Sequence, residues 1–219
     1  EEMHALAENE TWDLVDAPTG VKPIGCRWVY KFKYNTDGSI NRYKARLVAK
    51  DDAQKHDIDY DETFAPVAKM TTVRVLLAVA AVKGWPSHQM DVKNAFLQGD
   101  LEERVYMVQP PGFHSGTNTW TVCRLKKCLY RLKQAPRAWN TKITQQLRRM
   151  CFETSKSDSS LSIRKGRVGP VSILLYVDDL VITDADLGEI DRMKLQLAAS
   201  FNMKDLGDLH YFLGIEVIR

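Results

Sequence analysis

The chain has 219 residues, 44% of them hydrophobic and 27% charged, with a formal net charge of +3, enough for one large domain or two small lobes around a real core. No stretch approaches the roughly 20 apolar residues that span a bilayer, and the opening Glu1-Glu2-Met3-His4 lacks the regions of a signal peptide, so a cytosolic or nuclear protein without membrane partners is expected. Cys26, Cys123, Cys128 and Cys151 form no Cys-x-x-Cys pair and have no His at zinc-finger spacing, so the sequence supports neither a zinc site nor a disulfide framework, and reduced, mostly packed thiols are expected.

In chain order, Trp28, Tyr30, Phe32 and Tyr34 alternate with Val29, Lys31 and Lys33, and Asp37-Gly38 precedes a second run ending in Arg46-Leu47-Val48-Ala49. This predicts a β-hairpin with one basic face. Thr71 and Thr72 are placed to cap a helix over 73–82 that is apolar nearly all round and is stopped by Gly84, so it is expected to be buried. Residues 88–92 read as a short strand ending near Asp91, with a turn or helix start at Asn94-Ala95-Phe96-Leu97. Loop signals fill 108–119. Pro136 can open a helix with Trp139, Ile143, Leu147 and Met150 on one face. Two apolar runs, 171–177 and 180–183, are joined by Asp178-Asp179. A helix with Ile190, Met193, Leu197 and Phe201 at helical spacing follows, and then a last strand near 211–218. Strand, helix, two strands, helix, strand suggests a split β-α-β sheet, and the sequence has no internal repeat.

Charge is segregated. Between 121 and 150 stand nine basic residues and no acidic one. Between 26 and 50, Arg27, Lys31, Lys33, Arg42, Lys44, Arg46 and Lys50 face Asp37 alone, and an acidic run (Asp51, Asp52, Asp57, Asp59, Asp61, Glu62) comes next. Such blocks fit a polyanion-binding surface; solvated charged faces are the plainer alternative.

Tyr176-Val177-Asp178-Asp179-Leu180 is the most informative stretch. Asp-Asp suits a simple two-residue hairpin loop poorly, because such loops favour residues tolerant of positive φ. Adjacent carboxylates also repel unless something positive intervenes. Oxygen ligands select a hard ion, and Mg²⁺ prefers one or two carboxylates with waters and substrate phosphates. Asp91, at another strand's end, is the candidate third carboxylate, and two such ions about 4 Å apart would serve an in-line phosphoryl transfer. An isolated Asp-Asp pair is otherwise usually a turn.

At this point the residues resemble the reverse-transcriptase domain of copia-type (Pseudoviridae-like) LTR retrotransposon Pol polyproteins. The likeness runs in order through Asn9-Glu10-Thr11-Trp12, Pro23-Ile24-Gly25-Cys26, Tyr43-Lys44-Ala45-Arg46-Leu47-Val48-Ala49-Lys50, Glu62-Thr63-Phe64-Ala65-Pro66-Val67, Gln89-Met90-Asp91-Val92-Lys93-Asn94-Ala95-Phe96-Leu97, Leu132-Lys133-Gln134-Ala135-Pro136-Arg137-Ala138-Trp139, Tyr176-Val177-Asp178-Asp179 and Tyr211-Phe212-Leu213-Gly214-Ile215.

The resemblance implies an α+β right-hand polymerase fold, with fingers at about 1–68 and 101–133 and palm at about 69–100 and 134–219. The palm would be a ferredoxin-like antiparallel sheet with helices on one face. The activity implied is RNA-directed DNA synthesis from dNTPs on a primed RNA or DNA template, with two Mg²⁺ ions or Mn²⁺ in their stead. Asp91 and Asp178 are implied as principal metal ligands, with the Val92 carbonyl assisting and Asp179 as the third catalytic carboxylate. Phe96 resembles the bulky gate against a ribose 2′-hydroxyl, a core aromatic being the ordinary alternative. Lys31, Lys33 and Arg46 lie where fingers residues grip the triphosphate, which lysine does so being left open. Lys133, Gln134 and Pro136 match a motif supporting nucleotide and template. Leu213-Gly214 resembles the primer grip beside Tyr176, and Lys204 matches a lysine near the pyrophosphate or is an exposed helix-end cation.

The sequence departs from that family at Arg131, where Gly is usual and lets the backbone approach the substrate closely, a space that Arg would fill, and at Asp51 and Asp57, which also replace glycines. It stops at Arg219, just past the primer-grip likeness, so the expectation is that this chain lacks a thumb and a ribonuclease H domain, and that these and integrase are other parts of an intact Pol polyprotein, acting in a cytoplasmic virus-like particle or in the nucleus. Two rivals stand beside the polymerase: a catalytically inactive nucleic-acid-binding remnant, and a metal-dependent phosphohydrolase, which lacks a clearly placed general base.

Overall fold

The computed structural model describes residues 1–50, 54, 60, 63, 65–113 and 120–218. In chain order the elements are α1 (Glu2–Glu8), β1 (Trp12–Asp16), β2 (Cys26–Tyr34), β3 (Ile40–Ala49), α2 (Met70–Lys83), β4 (Ser87–Val92), α3 (Ala95–Gln98), β5 (Tyr106–Met107) and β6 (Thr121–Leu125). Then come α4 (Ala135–Arg149), β7 (Glu153–Thr154), β8 (Leu161–Lys165), β9 (Pro170–Tyr176), β10 (Asp179–Thr183), α5 (Leu187–Ser200), β11 (Met203–Asp208), β12 (Tyr211–Phe212) and β13 (Ile215–Glu216). No helix among the described residues is long and apolar enough to cross a membrane. Two compact units form, Glu1–Phe64 with Phe96–Trp139 and Ala65–Ala95 with Asn140–Arg219.

The first unit holds a three-stranded sheet, order β1-β6-β5, and the β2–β3 hairpin. Its core gathers Leu6, Ile24, Leu47, Leu97, Met107 and Leu129, together with Cys26, Cys123 and Cys128. These three thiols are free and buried, and Cys151 is free and exposed. In the hairpin Lys31 stands opposite Lys44, Lys33 opposite Arg42 and Val29 opposite Arg46, while Tyr30, Phe32 and Tyr43 occupy the alternate positions. Period-two alternation thus puts the cations on one face, as the sequence predicts. Asp51 and Asp57, the acidic run that contains them, and 114–119 of the predicted loop lie outside the described residues.

The second unit is built on a six-stranded sheet, order β11-β4-β10-β9-β8-β7, antiparallel at every pairing. Taking β4, β9, β10 and β11 as first to fourth, the order is fourth-first-third-second, with α4 and α5 as the crossovers. The expectation of helices on one face needs a correction. Leu161, Leu174 and Val181 are successive register partners on one face and pack with Ala68, Val73 and Leu76 of the α2 region. Arg164 pairs with Val171, an odd number of residues from Leu174 and so on the other face. There it donates to the Met150 carbonyl beyond α4 at 3.1 Å and pairs with Glu189 of α5. Helices therefore lie on both faces, which is why Ile173, Leu174, Leu175, Leu180, Val181 and Ile182 are all buried.

Helix α2 also departs from expectation. Val73, Leu76 and Ala80 are buried, whereas Val75, Val79 and Val82 are exposed, because a helix lying on one sheet face buries only the stripe turned toward it. Neither Thr71 nor Thr72 is its N-cap. Lys69 is, and its N–H donates to Asp158 Oδ2 at 3.0 Å. Gly84 closes the helix in the left-handed conformation, φ 65°, as its lack of Cβ allows. The last strand expected near 211–218 is instead a small hairpin, β12–β13, whose turn Leu213-Gly214 has φ of 48° and 83°, while the strand that ends the sheet beside β4 is β11. That strand escapes sequence reading because Met-Lys-Asp-Leu-Gly-Asp lacks apolar alternation and carries a bulge between Asp205 and Gly207.

Candidate active site

Tyr176 pairs with Asp179 at the end of the β9–β10 ladder, so the two-residue loop is Val177-Asp178 and Asp179 is already strand. This shifts the predicted Asp178-Asp179 junction by one residue. The residue that violates hairpin preference is Val177, at φ 56°. A β-branched side chain in the left-handed region is strained, and such strain concentrates at functional turns.

Three strands then set a row of charges across one face. Asp179 stands opposite Asp91 of β4, and Asp91 stands opposite Lys204 of β11. Directly opposed residues share a face with Cβ atoms about 5 Å apart. Lys204 is thus a strand residue in line with the carboxylates, not a helix-end cation. The turn is tied to β4 through its backbone, the Val92 N–H donating to the Asp178 carbonyl at 2.8 Å, and on the other side the Lys93 N–H donates to the Asn202 carbonyl just before β11 at 2.9 Å. Gln89, two residues before Asp91 and hence on its face, donates Nε2–H to Asp179 Oδ1 at 3.0 Å.

Burial pushes the Asp179 carboxyl above the ordinary carboxylate range; the Gln89 hydrogen bond opposes this, and the charges of Asp178 and Asp91 push further up. The all-oxygen, strongly negative donor set has the chemistry of a site for a hard divalent ion. Its three carboxylates are not drawn together as a chelating group: among the described residues no three His, Cys, Asp or Glu side chains are arranged to hold a metal.

Also in the second unit, Tyr176 meets Phe212 edge-on with ring centroids 6.4 Å apart, and Leu213 packs with it on the α2 cluster. The Leu213-Gly214 turn thus hangs from the strand that leads into the Val177-Asp178 turn.

The other predicted positions belong to the first unit. Arg46 places Cζ 4.8 Å from the ring centroid of Tyr130, and Phe96 meets the same ring edge-on at 5.6 Å. Lys133 Nζ lies 4.9 Å from the centroid of Tyr60 and donates to its hydroxyl at 3.2 Å. Gln134 is buried, its Oε1 accepting from Gln54 Nε2 at 3.2 Å, while Gln54 Oε1 accepts from the Lys133 N–H at 3.0 Å. Lys31 and Lys33 are exposed on the hairpin, and Pro136 is the second residue of α4. Sequence reasoning misses Tyr130, Gln54 and Gln89. Only Gln89 carried a usable signal, its period-two spacing from Asp91.

Arg131 has φ 68°. The glycine usual there in the resemblance thus answers a left-handed backbone, and the predicted collision with substrate is not needed to account for it.

A model of the reverse transcriptase (RNA-dependent DNA polymerase) family matches residues 9–219, and the chain belongs to that family. It is 49% identical over 219 residues to the Retrovirus-related Pol polyprotein from transposon RE1 of Arabidopsis thaliana, covering 100% of this chain and 15% of that protein. It is 44% identical over 220 residues to the counterpart from transposon TNT 1-94 of Nicotiana tabacum, covering 100% and 17%. It is 31% identical over 232 residues to the Transposon Ty1-BR Gag-Pol polyprotein of Saccharomyces cerevisiae, covering 99% and 12%. The copia-type resemblance therefore holds, and the chain spans about one sixth of the length of these plant relatives.

Proposed function

We propose that this chain is the fingers and palm of the RNA-directed DNA polymerase of a copia-type retrotransposon, the palm built on the six-stranded sheet and the fingers carrying the basic hairpin. The observation that carries the reading is the opposition of Asp91 and Asp179 across β4 and β10, with Asp178 held beside them by the Val92 N–H, in a member of the reverse transcriptase family.

In this reading Asp91 and Asp178 hold two Mg²⁺ ions, or Mn²⁺, with the Val92 carbonyl and Asp179 assisting. Bound there, the ions supply Lewis acidity toward the primer 3′-hydroxyl and the departing pyrophosphate. Gln89 keeps Asp179 oriented and favours its ionised form. Lys204 offers a cation in the same row, suited to pyrophosphate charge. Arg46 and one of Lys31 and Lys33 neutralise the triphosphate, Arg by its bidentate fork and Lys as a point charge. Phe96 crowds a ribose 2′-hydroxyl, and Lys133 and Gln134 support the nucleotide. Tyr176, Leu213, Gly214 and Pro136 contact primer and template. The partners are a primed RNA or DNA template, dNTPs and the thumb, ribonuclease H and integrase parts of Pol, in a cytoplasmic particle or the nucleus.

The test is incorporation of labelled dTTP on poly(rA)·oligo(dT) with Mg²⁺ by the natural chain and by Asp178→Asn. Incorporation that Asp178→Asn abolishes supports the polymerase. The Arg side chain at position 131, where the family resemblance implies Gly, is the ground for a second reading, a nucleic-acid-binding remnant without turnover, in which that side chain and not the backbone strain blocks the substrate. Salt-sensitive duplex binding without incorporation selects it.

A further inference from the structure

Tyr130 holds together two side chains to which the polymerase reading gives different tasks. Phe96 packs edge-on against its ring, centroids 5.6 Å apart with planes at 75°, and the Arg46 guanidinium lies over the ring with Cζ 4.8 Å from the centroid. The base of the ring is anchored to the strand that carries Arg46: the Tyr130 carbonyl accepts from the Ala49 N–H at 3.0 Å, and Tyr130 bridges Val48. Both Tyr130 and Phe96 are half-buried against the first unit's core. The Nε of Arg46 is buried with no hydrogen-bond partner among the described residues, so the ring supplies orientation that a hydrogen bond at Nε does not.

We propose that Tyr130 is a positioning residue for nucleotide selection, one ring fixing both the side chain that meets the sugar and the side chain that meets the triphosphate. The inference rests on the polymerase reading above. The physical argument is that a steric gate discriminates only if its ring is held to a fraction of an ångström, since a loose ring yields to a 2′-hydroxyl. Phe96 sits on α3, a single helical turn of four residues, too short to hold it by itself. Tyr130 also makes sugar discrimination and triphosphate affinity fail together, which independent anchoring of Phe96 and Arg46 would not do.

The experiment compares the full chain with Tyr130→Phe and Tyr130→Leu on poly(rA)·oligo(dT), measuring kcat and KM for dTTP and UTP. Tyr130→Leu is expected to lower the dTTP-over-UTP preference and to raise KM for dTTP, each by about tenfold, the scale on which an aromatic pair and a cation–π pair each stabilise a structure. Tyr130→Phe keeps the ring and is expected to stay within about twofold of the natural chain, since both pairs survive. A second readout needs no turnover: para-fluorophenylalanine is placed at position 96, and its fluorine resonance is expected to move or broaden in Tyr130→Leu but not in Tyr130→Phe. If Tyr130→Leu does not melt cooperatively, Tyr130→Met, close in length and flexible, takes its place. Unchanged selectivity with an unchanged resonance overturns the proposal, as does a Phe variant that behaves like the Leu variant. If the natural chain incorporates nothing, the polymerase reading fails and nucleotide selection falls with it, while the fluorine signal still decides whether Tyr130 positions Phe96.

Discussion

Asp179 stands directly opposite Asp91, one carboxylate on β10 and the other on β4, with Gln89 bonded to Asp179 at 3.0 Å. The native carboxyl of Asp179 is raised above its ordinary value of 3.8 by burial first and by the neighbouring carboxylates next. Between the unfolded value and the raised native one, the native state holds more protons than the unfolded chain, so stability falls as pH rises through that window. At neutral pH the penalty is present in full. Asp179→Asn is therefore expected to raise the melting temperature at neutral pH, with the gain vanishing below the unfolded value of 3.8. Incorporation is expected to drop at least about a hundredfold, as if roughly 3 kcal/mol of transition-state charge stabilisation were lost. Thermal melts across pH beside dTTP incorporation check both, and a variant less stable at neutral pH contradicts the electrostatic argument.

Gln89 acts only through Asp179 in this account. Gln89→Met keeps length and volume but cannot donate, and hydrogen bonds to charged groups contribute about 1.5–3 kcal/mol. The variant is expected to lower kcat for dTTP about tenfold with little change in KM. In an Asp179→Asn background the same change is expected to add almost nothing, the non-additivity of groups sharing one interaction. Steady-state kinetics on the four chains of the cycle measures it, and additive losses would sink the assignment.

Much of the site's framework was readable because it depends on local signals. The alternation of 28–34, the apolar runs flanking Asp178-Asp179, and Ile190, Met193 and Leu197 at helical spacing all became the elements expected. The sequence points one residue too far along for the turn because Val177 adopts a left-handed φ that its side chain disfavours. The outward stripe of α2 is not legible in the sequence, because uniform apolarity does not say which side has a neighbour. Tyr130 was invisible as a link between Phe96 and Arg46, since it touches them across 34 and 84 positions of chain (130 − 96 and 130 − 46), and no periodicity reports such pairings.

Arg131 separates two explanations of the glycine implied there. Its φ of 68° strains any residue with a Cβ by about 1–2 kcal/mol, and the greater unfolded-state freedom of glycine offsets about 0.4–1 kcal/mol of the relief. Arg131→Gly is expected to raise the melting temperature by roughly 1–4 °C for a chain of this size, and Arg131→Ala, which keeps the Cβ, is not. A crowding side chain predicts the opposite signature: the Ala and Gly variants would gain incorporation alike. Melting curves and dTTP incorporation on both variants distinguish the two.

Asp158 reaches back to organise the helix that covers one face of the six-stranded sheet. It is buried, with 5% relative exposure, and accepts from the Lys69 N–H at 3.0 Å, from the Ser160 N–H at 3.0 Å and from the Ser160 hydroxyl at 2.6 Å. Burial alone would raise this carboxyl, but hydrogen bonds from Ser160, Thr72 and Lys69 outweigh it and lower it from 3.8 to about 2. Because the native value is depressed, the unfolded chain binds the proton more readily. The stabilisation is complete above the unfolded value and is lost as pH falls through the native one, an effect of roughly 2 kcal/mol. Asp158→Asn is expected to lower the melting temperature at neutral pH by roughly 4–8 °C and to flatten its decline between about pH 4 and pH 2. The loss would loosen the N-terminus of α2 over Leu174 and Val181 without touching Asp91, Asp178 or Asp179, so incorporation below the melting range is expected to stay within about twofold, as for a substitution remote from the chemistry. Melting as a function of pH is the direct check, and an Asn variant that melts with the natural chain's pH dependence would remove Asp158 from its capping role.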